Sequence, residues 1–484
     1  MLYPRFYFRA VPAALILILV ITACNTTSGK SSANPVRLTI GASENFTARI
    51  TNTNAGKITW TSSDPAIASV DENGNVTAIK YRESSTGTGE VNITAAGENG
   101  KRIASFTVIT TIAGQTDMMS LPPLKDQFSA YFLLGNIFHN GIRRLDIDSD
   151  ILGGVISNER LKRHYNVLTA ENEMKPAYLC GSAPGQYNQN NINTAKRMVD
   201  AALAANMKVV GHTLLWHSQI PQWQASLRTD TTTQAAALKF MRDFITDIMT
   251  EFKGKIYSWD VLNEAFPDSG ITPDSDWKNV MRKDANGNPW YMKLGADFVY
   301  EAYLAARKAD PNAILYYNDY NLDQSGKARM VHNMVKEVND RYKREAGGTR
   351  LLIEGIGMQS HHNTGVSASR IRTTLNLFRQ LGVRISISEI DILSQSWSEF
   401  SRNPEPGTSM KSTAANAGKL EAAGLYEQYF RLFIENADII ERVSFWGVYD
   451  EQSWRAKGLP LLFEGIDDSK AKPAYYSVIK SLKQ

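Results

Sequence analysis

The chain has 484 residues, of which 43% are apolar, 21% charged and 10% aromatic, with a formal net charge of +4. That composition excludes a disordered chain, and the length favours two or more domains over a single core. A charge this close to balance, with no basic tail or Lys/Arg block, argues against nucleic acid as the main partner.

Residues 1–23 read as a targeting segment. Arg5 and Arg9 form a basic start, and "VPAALILILVITA" is an apolar run ending in small residues. At about 13 residues it is short for a bilayer span. Cys24 follows Ala23 directly, and "ITAC" resembles a bacterial lipobox. The resemblance implies cleavage before Cys24, acylation of its thiol, and an exported protein anchored to a bacterial membrane by lipid. Asn25 supplies no retention aspartate, which tilts the expected location toward the outer cell surface. Cys180 is the other cysteine, so with Cys24 acylated no disulfide supports the fold.

Residues 24–35, "CNTTSGKSSANP", are small and polar and read as a flexible tether. Over residues 36–115 short β-rich runs recur between turn signals: "VRLTI", "NFTARI", "KITWTSS", "IASV", "NVTAI", "EVNITAA" and "SFTVITTI". The "DENGN" between the fourth and fifth is a hairpin signal, and about seven strands in some 80 residues predict a β-sandwich. The stretch resembles bacterial Ig-like domains of group 2. Only Trp60 and Tyr81 are candidate exposed aromatics, so a spacer is expected rather than a sugar-binding module.

From residue 121 to 484 the pattern changes to apolar runs separated by helical segments such as "NTAKRMVDAALAANM" and "ADFVYEAYLAARKADP". The candidate strands are "YFLLGNIF", "YNVLTAE", "KVVGHTLLWH", "IYSWDVLNE", "AILYYND", "LIEGIGMQSH", "RISISEID" and "VSFWGVYD". Continuous apolar strands alternating with helices indicate a parallel sheet covered by helices. Eight such units predict an α/β (β/α)8 barrel.

Most of these strands end in polar or aromatic residues, and barrels build their active sites where such ends converge. The second ends in Glu171, Asn172 and Lys175, and the third in His212, Trp216, His217 and Gln219. The fourth supplies Asn263 and Glu264, the fifth Asn318, Asp319 and Tyr320, and the sixth Gln359, His361 and His362. The seventh brings Glu389 and Asp391, and the eighth Trp446. Two carboxylates facing each other across a barrel mouth, Glu264 and Glu389, suit glycoside hydrolysis, in which one protonates the leaving oxygen and the other attacks. Trp216, Trp223, Tyr320, Trp446 and Trp454 suit the apolar faces of sugar rings; the amides and Lys175 suit hydroxyls. No His-x-x-x-His or clustered carboxylate spacing supports a metal centre, and the chemistry needs no cofactor.

On the ordered motifs "TAENEMK", "GHTLLWHSQIPQW", "WDVLNEA", "YNDYN", "GIGMQSH", "ISEIDI", "FWGVYDEQSWR" and "KPAY", residues 121–483 resemble glycoside hydrolase family 10, principally endo-β-1,4-xylanases. The resemblance implies a barrel acting on xylan and xylo-oligosaccharides with retention of configuration. It makes Glu264 the general acid/base and Glu389 the nucleophile. It further implies that Asn263 binds the 2-hydroxyl of the sugar being cleaved and that His361 orients Glu389. Glu171, Asn172, Lys175 and Gln219 would line the glycone subsites, and His212 and Trp216 the floor beside the scissile bond. Tyr320, Gln359, Trp446 and Trp454 would make further cleft contacts.

Two features depart from the family. Pro176 stands where relatives usually have Trp after the Lys of "ENEMK", which puts distal glycone contacts in doubt. The segment "SQSWSEFSRNPEPGTSMKSTAANAGKL" after the seventh strand is either an insertion bordering the cleft or a surface loop, and its polarity favours the loop. A β-1,4-glucanase on the same scaffold is the first rival reading, to be decided by cleft shape near Gln219 and Trp454. A surface glycan-binding protein with a retired catalytic domain is the second. Retention of Glu264, Glu389, Asn263 and His361 argues against it.

Overall fold

A computed structural model of the chain describes residues 36–39, 43–50, 56–79, 89–111, 121–139, 159–402 apart from 285, 413–464 and 471–483. Cys24 and the expected tether lie outside them. The described residues form two units that divide between Ala113 and Gly114.

The first unit is a two-sheet sandwich. Strands β1 (Val36–Thr39), β7 (Arg102–Thr111), β6 (Gly89–Ala96) and β3 (Thr59–Ser62) form one sheet; β2 (Ser43–Asn45), β5 (Asn75–Ala78) and β4 (Ala68–Val70) form the other. Alternation buries Val91, Ile93 and Ala95 on β6 opposite Phe106 and Val108 on β7. Trp60 lies in this core, stacked on Phe106 at 6.4 Å, so it presents no sugar-binding face. The predicted hairpin joins β4 to β5, with Asp71 Oδ1 accepting from the Asn73 and Asn75 amides at 2.9 and 2.8 Å. The run "NFTARI" behaves differently from the expected strand. Asn45 Oδ1 accepts from Thr47 N at 3.0 Å, and the resulting turn makes Thr47–Arg49 a 3-10 helix with Phe46 buried as a plug.

The second unit is a closed parallel barrel. Its strands are β8 (Leu133–Phe138), β9 (Val167–Ala170), β10 (Lys208–Leu215), β11 (Ser258–Asn263), β12 (Ile314–Asp319), β13 (Gly355–Met358), β15 (Arg384–Leu393) and β16 (Ile440–Phe445). Each pairs in parallel with the next, and β16 returns to β8. Each of the eight predicted runs overlaps one of these strands, the eighth strand beginning three residues before its run. A short β14 (His361–Asn363) continues the sixth run beyond Gln359 and Ser360 and pairs with the end of β15. Every residue of β9 and β11 is buried, which explains why these runs read as continuous rather than alternating. The outer helices bury one stripe each; Gln234–Glu251 buries Ala237, Met241, Phe244, Ile245 and Ile248 at helical spacing.

Glycines inside the strands make room for large neighbours. Gly211 pairs with Trp259 across β10 and β11, and a Cβ on it would stand 2.2 Å from the indole. Gly355 likewise faces Tyr316 at 2.3 Å, and Gly357 faces Asn318 Oδ1 at 2.2 Å. The missing side chains are part of the packing. Gly211→Ala is therefore expected to destabilise the barrel by about 1–3 kcal/mol through overpacking. A thermal scan should show a lowered midpoint; an unchanged one would mean that Trp259 has room to yield.

Candidate active site

A cleft of about 870 Å³ opens at the C-terminal ends of the barrel strands. The fourteen residues to which the family resemblance gives catalytic or sugar-binding roles all line it, from Glu171, Asn172 and Lys175 through Glu264 and Glu389 to Trp446 and Trp454. Trp223, expected to face a sugar ring, does not line it but packs against the core, and His217 is likewise absent from the lining. Trp223 packs edge-on against Trp290 at 6.1 Å.

Glu264 follows directly on β11, in the left-handed region at φ 54°. Such a conformation costs a non-glycine residue about 1–3 kcal/mol and needs external support. Here both backbone polar groups are held: Glu264 N donates to Asn318 O at 2.8 Å, and Arg282 Nε donates to Glu264 O at 3.0 Å. The turn presents the carboxylate to three neutral donors. Trp216 Nε1 reaches Oε2 at 2.8 Å, while Gln359 Nε2 and Asn263 Nδ2 reach Oε1 at 2.9 and 3.3 Å. His217 Nδ1 lies 3.9 Å from Oε2, but burial, with Arg282 adding to it, pushes His217 down to about 4. At neutral pH this neighbour is therefore uncharged.

Glu389, within β15, has different company. Asn318 Nδ2 donates to Oε1 at 2.8 Å and His361 Nε2 approaches Oε2 at 3.1 Å. Burial by itself would raise this carboxyl; the His361 hydrogen bond, the charges of the neighbouring histidines and the Asn318 amide outweigh it and hold Glu389 below the usual carboxylate range. His361 is itself shifted. Burial opposes its charge, yet Asp391, 3.0 Å from Nδ1, together with Glu389 raises it to about 9. Asp391 is paired in turn with the buried Arg455, which also donates to His362 O at 3.1 Å.

Three amides join the two carboxylates. Asn318 Nδ2 and Gln359 Nε2 also lie 3.0 and 3.2 Å from Asn263 Oδ1. Because each of those nitrogens donates to a glutamate, the Asn263 atom between them is its oxygen. The opposite orientation, with Asn263 donating to Asn318 O, would set nitrogen against nitrogen. Asn263 Nδ2 is thereby turned to the Glu264 side of the cleft.

One end of the cleft is amide-rich. Lys175 Nζ donates to Gln219 Oε1 at 2.7 Å and Asn172 Oδ1 at 3.3 Å, and sits 5.1 Å from the centre of the Trp216 ring. Burial lowers Lys175, against the pull of Glu389, Glu171 and Glu264. Pro176, the departure from the family pattern, begins the short helix Pro176–Leu179, with Lys175 as its N-cap. On the other side, Tyr320 donates to Asp268 Oδ2 at 2.5 Å with the Lys327 ammonium 3.8 Å from its ring centre. His212 is held by Asp260 at 2.9 Å and meets Trp446 edge-on at 5.5 Å.

Sequence reasoning named Asn318 only as a strand end and gave no role to Arg455, Asp268 or Trp397. Asn318 stood in plain view in "YNDYN". Trp397 was hidden in the polar segment expected to be a surface loop. Of that segment, Trp397–Arg402 is a helix whose tryptophan lines the cleft, and Thr413 onward belongs to the helix Thr413–Glu435. Residues 403–412 lie outside the described ones.

Known proteins share this architecture. Residues 26–108 match the bacterial Ig-like domain (group 2). The endo-1,4-beta-xylanase A of Thermotoga neapolitana is 32% identical over 364 residues, which make up 74% of this chain and 31% of that protein. Exoglucanase XynX of Acetivibrio thermocellus is 33% identical over 372 residues, 74% of this chain and 29% of its own. The chain thus matches about a third of the length of these curated relatives. A crystal structure of a bacterial Ig-like domain containing GH10 xylanase from termite gut shares 47% identity and a TM-score of 0.70, covering 93% of this chain and 98% of its own. The family model of glycosyl hydrolase family 10 matches residues 124–481, the whole barrel with its cleft, and the chain belongs to that family.

Proposed function

We propose that the protein is an endo-β-1,4-xylanase that cleaves internal xylosidic bonds with retention of configuration. The observation that carries the reading is the unlike setting of two carboxylates in one cleft. Glu389 is kept ionised by a protonated His361, and Glu264 is surrounded by neutral donors. In the first step Glu389 attacks the anomeric carbon while Glu264 gives its proton to the departing oxygen. In the second, Glu264 takes a proton from water, which displaces Glu389 and frees the sugar. Asn263 Nδ2 is placed to hold a sugar hydroxyl beside Glu264, and Trp446 and Trp454 offer apolar faces. The rival β-1,4-glucanase would use the same two carboxylates, and only the substrate separates the readings.

We further propose that Cys24 carries lipid and that the Ig-like unit spaces the barrel from an outer cell surface, on the strength of the "VPAALILILVITAC" pattern. Cys24→Ala should then lose incorporation of labelled palmitate and leave the membrane fraction; equal labelling of parent and variant would sink the idea.

Reducing-sugar release from xylan and from soluble β-1,4-glucan tests the main reading. Rapid release from xylan with weak release from glucan is expected. Glu389→Ala should lower the xylan rate by about 10⁴-fold or more, and Glu264→Ala by about 10²–10⁴-fold. NMR of early products should show the β anomer first. Dominant release from glucan would replace xylanase by glucanase, and an unaffected Glu389→Ala would remove the nucleophile assignment.

The raised His361 also predicts a pH-dependent stability. Its folded value of about 9 exceeds the ordinary imidazole value, so the contribution is complete below about pH 6.5, declines above it and is lost as pH rises through about 9. The difference in unfolding midpoint between the parent chain and His361→Gln should be largest near pH 6 and shrink toward pH 10. A constant difference would show that His361 contributes by packing rather than charge.

A further inference from the structure

We propose that Trp397 is a sugar-stacking residue, and that the short helix Trp397–Arg402 holds it on the rim of the cleft beside Trp454. The proposal rests on the xylan reading above and adds a contact to it. Among the described residues, the exposed large hydrophobic side chains are Ile79, Leu203, Trp397, Leu420 and Trp454. Both tryptophans line the cleft, at 54% and 57% exposure. An indole is among the largest apolar surfaces a side chain can bury, and leaving two of them open on one rim calls for an occupant.

The local sequence fixes Trp397 in place. Ser396 and Glu399 form a reciprocal cap: Ser396 N donates to Glu399 Oε2 at 2.9 Å, and Glu399 N donates to Ser396 Oγ at 3.4 Å. One turn on, Phe400 packs against the indole with ring centres 5.6 Å apart. Gly458 leaves room beneath, since a Cβ there would stand 2.2 Å from Leu393 and 3.4 Å from Phe400. Ser394 N donates to Gly458 O at 2.9 Å, closing the base of the segment.

A shared cation ties the two indoles together. The Arg455 guanidinium is buried, and its carbon lies 5.8, 5.9 and 5.6 Å from the ring centres of Trp397, Phe400 and Trp454. Trp454 also meets His361 edge-on at 5.3 Å. The aromatic wall therefore stands on the Asp391 and Arg455 pair that supports the nucleophile's histidine. Its chemistry suits the C–H face of a β-1,4-linked pyranose. A xylose unit, which has no exocyclic hydroxymethyl, lies flat against such a plane.

The test uses the full chain carrying Glu389→Ala, which leaves oligosaccharides intact, and titrates it with xylohexaose by calorimetry. Adding Trp397→Ala should weaken binding about 3- to 10-fold, while Trp397→Tyr should stay within about twofold of the Glu389→Ala chain. In the active chain, Trp397→Ala should raise KM on xylan more than it lowers kcat. Equal xylohexaose affinity with and without Trp397→Ala overturns the subsite alone. A loss accompanied by a lowered thermal midpoint and not restored by Tyr assigns Trp397 to packing and also overturns it. If the Glu389→Ala chain binds no xylohexaose at all, the xylan reading fails and the subsite falls with it.

Discussion

The geometry of both carboxylates turns on one amide, that of Asn318. Its nitrogen donates to Glu389 and to Asn263, and its oxygen accepts from Ser388 Oγ at 2.6 Å. Its backbone carbonyl receives Glu264 N. One residue at the end of β12 thereby touches the strand carrying the proposed nucleophile and the turn carrying the proposed acid. The amide has room only because Gly357 on the adjacent strand lacks a Cβ. Buried polar networks of this kind are rigid when every member is satisfied and costly when one is missing. The barrel's register, its glycine and its amide form a single constraint.

Charge at the strand ends follows a similar economy of partners. Asp319 is held by Lys327 at 2.9 Å and Asp450 by Lys472 at 2.7 Å, yet burial leaves both carboxyls above their ordinary values. Asp391, equally buried, is driven below its ordinary value because Arg455 and His361 act on it together. A single ammonium does not outweigh removal from water, whereas a guanidinium and an imidazolium do. Asp391 therefore keeps a charge with which to hold His361 protonated, and His361 does the same for Glu389. The acidity of the proposed nucleophile is thus set through the second carboxylate of "EID".

Much of this was legible from residues alone because the signals were local. Buried strands read as apolar runs, and the polar residues closing them read as a cleft since a barrel gathers its strand ends. What escaped depended on relations between strands. Nothing in "YNDYN" says that the first asparagine reaches both glutamates, because that follows from register with Gly357 and Ser388. "SWSEFS" sits in a polar stretch whose composition suits a loop, and the Ser396–Glu399 spacing that caps a helix there went unread. In "NFTARI" the β-formers suggested a strand, and the Asn45 side chain made a turn instead.

Most of the unfavourable features of the second unit gather at one end, although Asn206, in the turn before β10, takes a positive φ at the other. Gln219, Glu264, Asn321 and Ser360 all take positive φ at or beside the cleft, two large indoles stand open there, and Glu171, Glu389 and Lys175 are buried there. Each such backbone conformation costs about 1–3 kcal/mol, so a fold of ordinary stability tolerates several only if its remainder is regular. The rest of the barrel meets that condition: strands buried along their length, glycines seating Trp259 and Tyr316, and amphipathic helices around them. The break at Gln359 and Ser360 shows the division within one strand. Below it β13 pairs in regular register; above it the chain turns, sends Gln359 to Glu264 and His361 to Glu389, and resumes as β14. At this break the strained residue, Ser360, stands between the two side chains that reach the carboxylates.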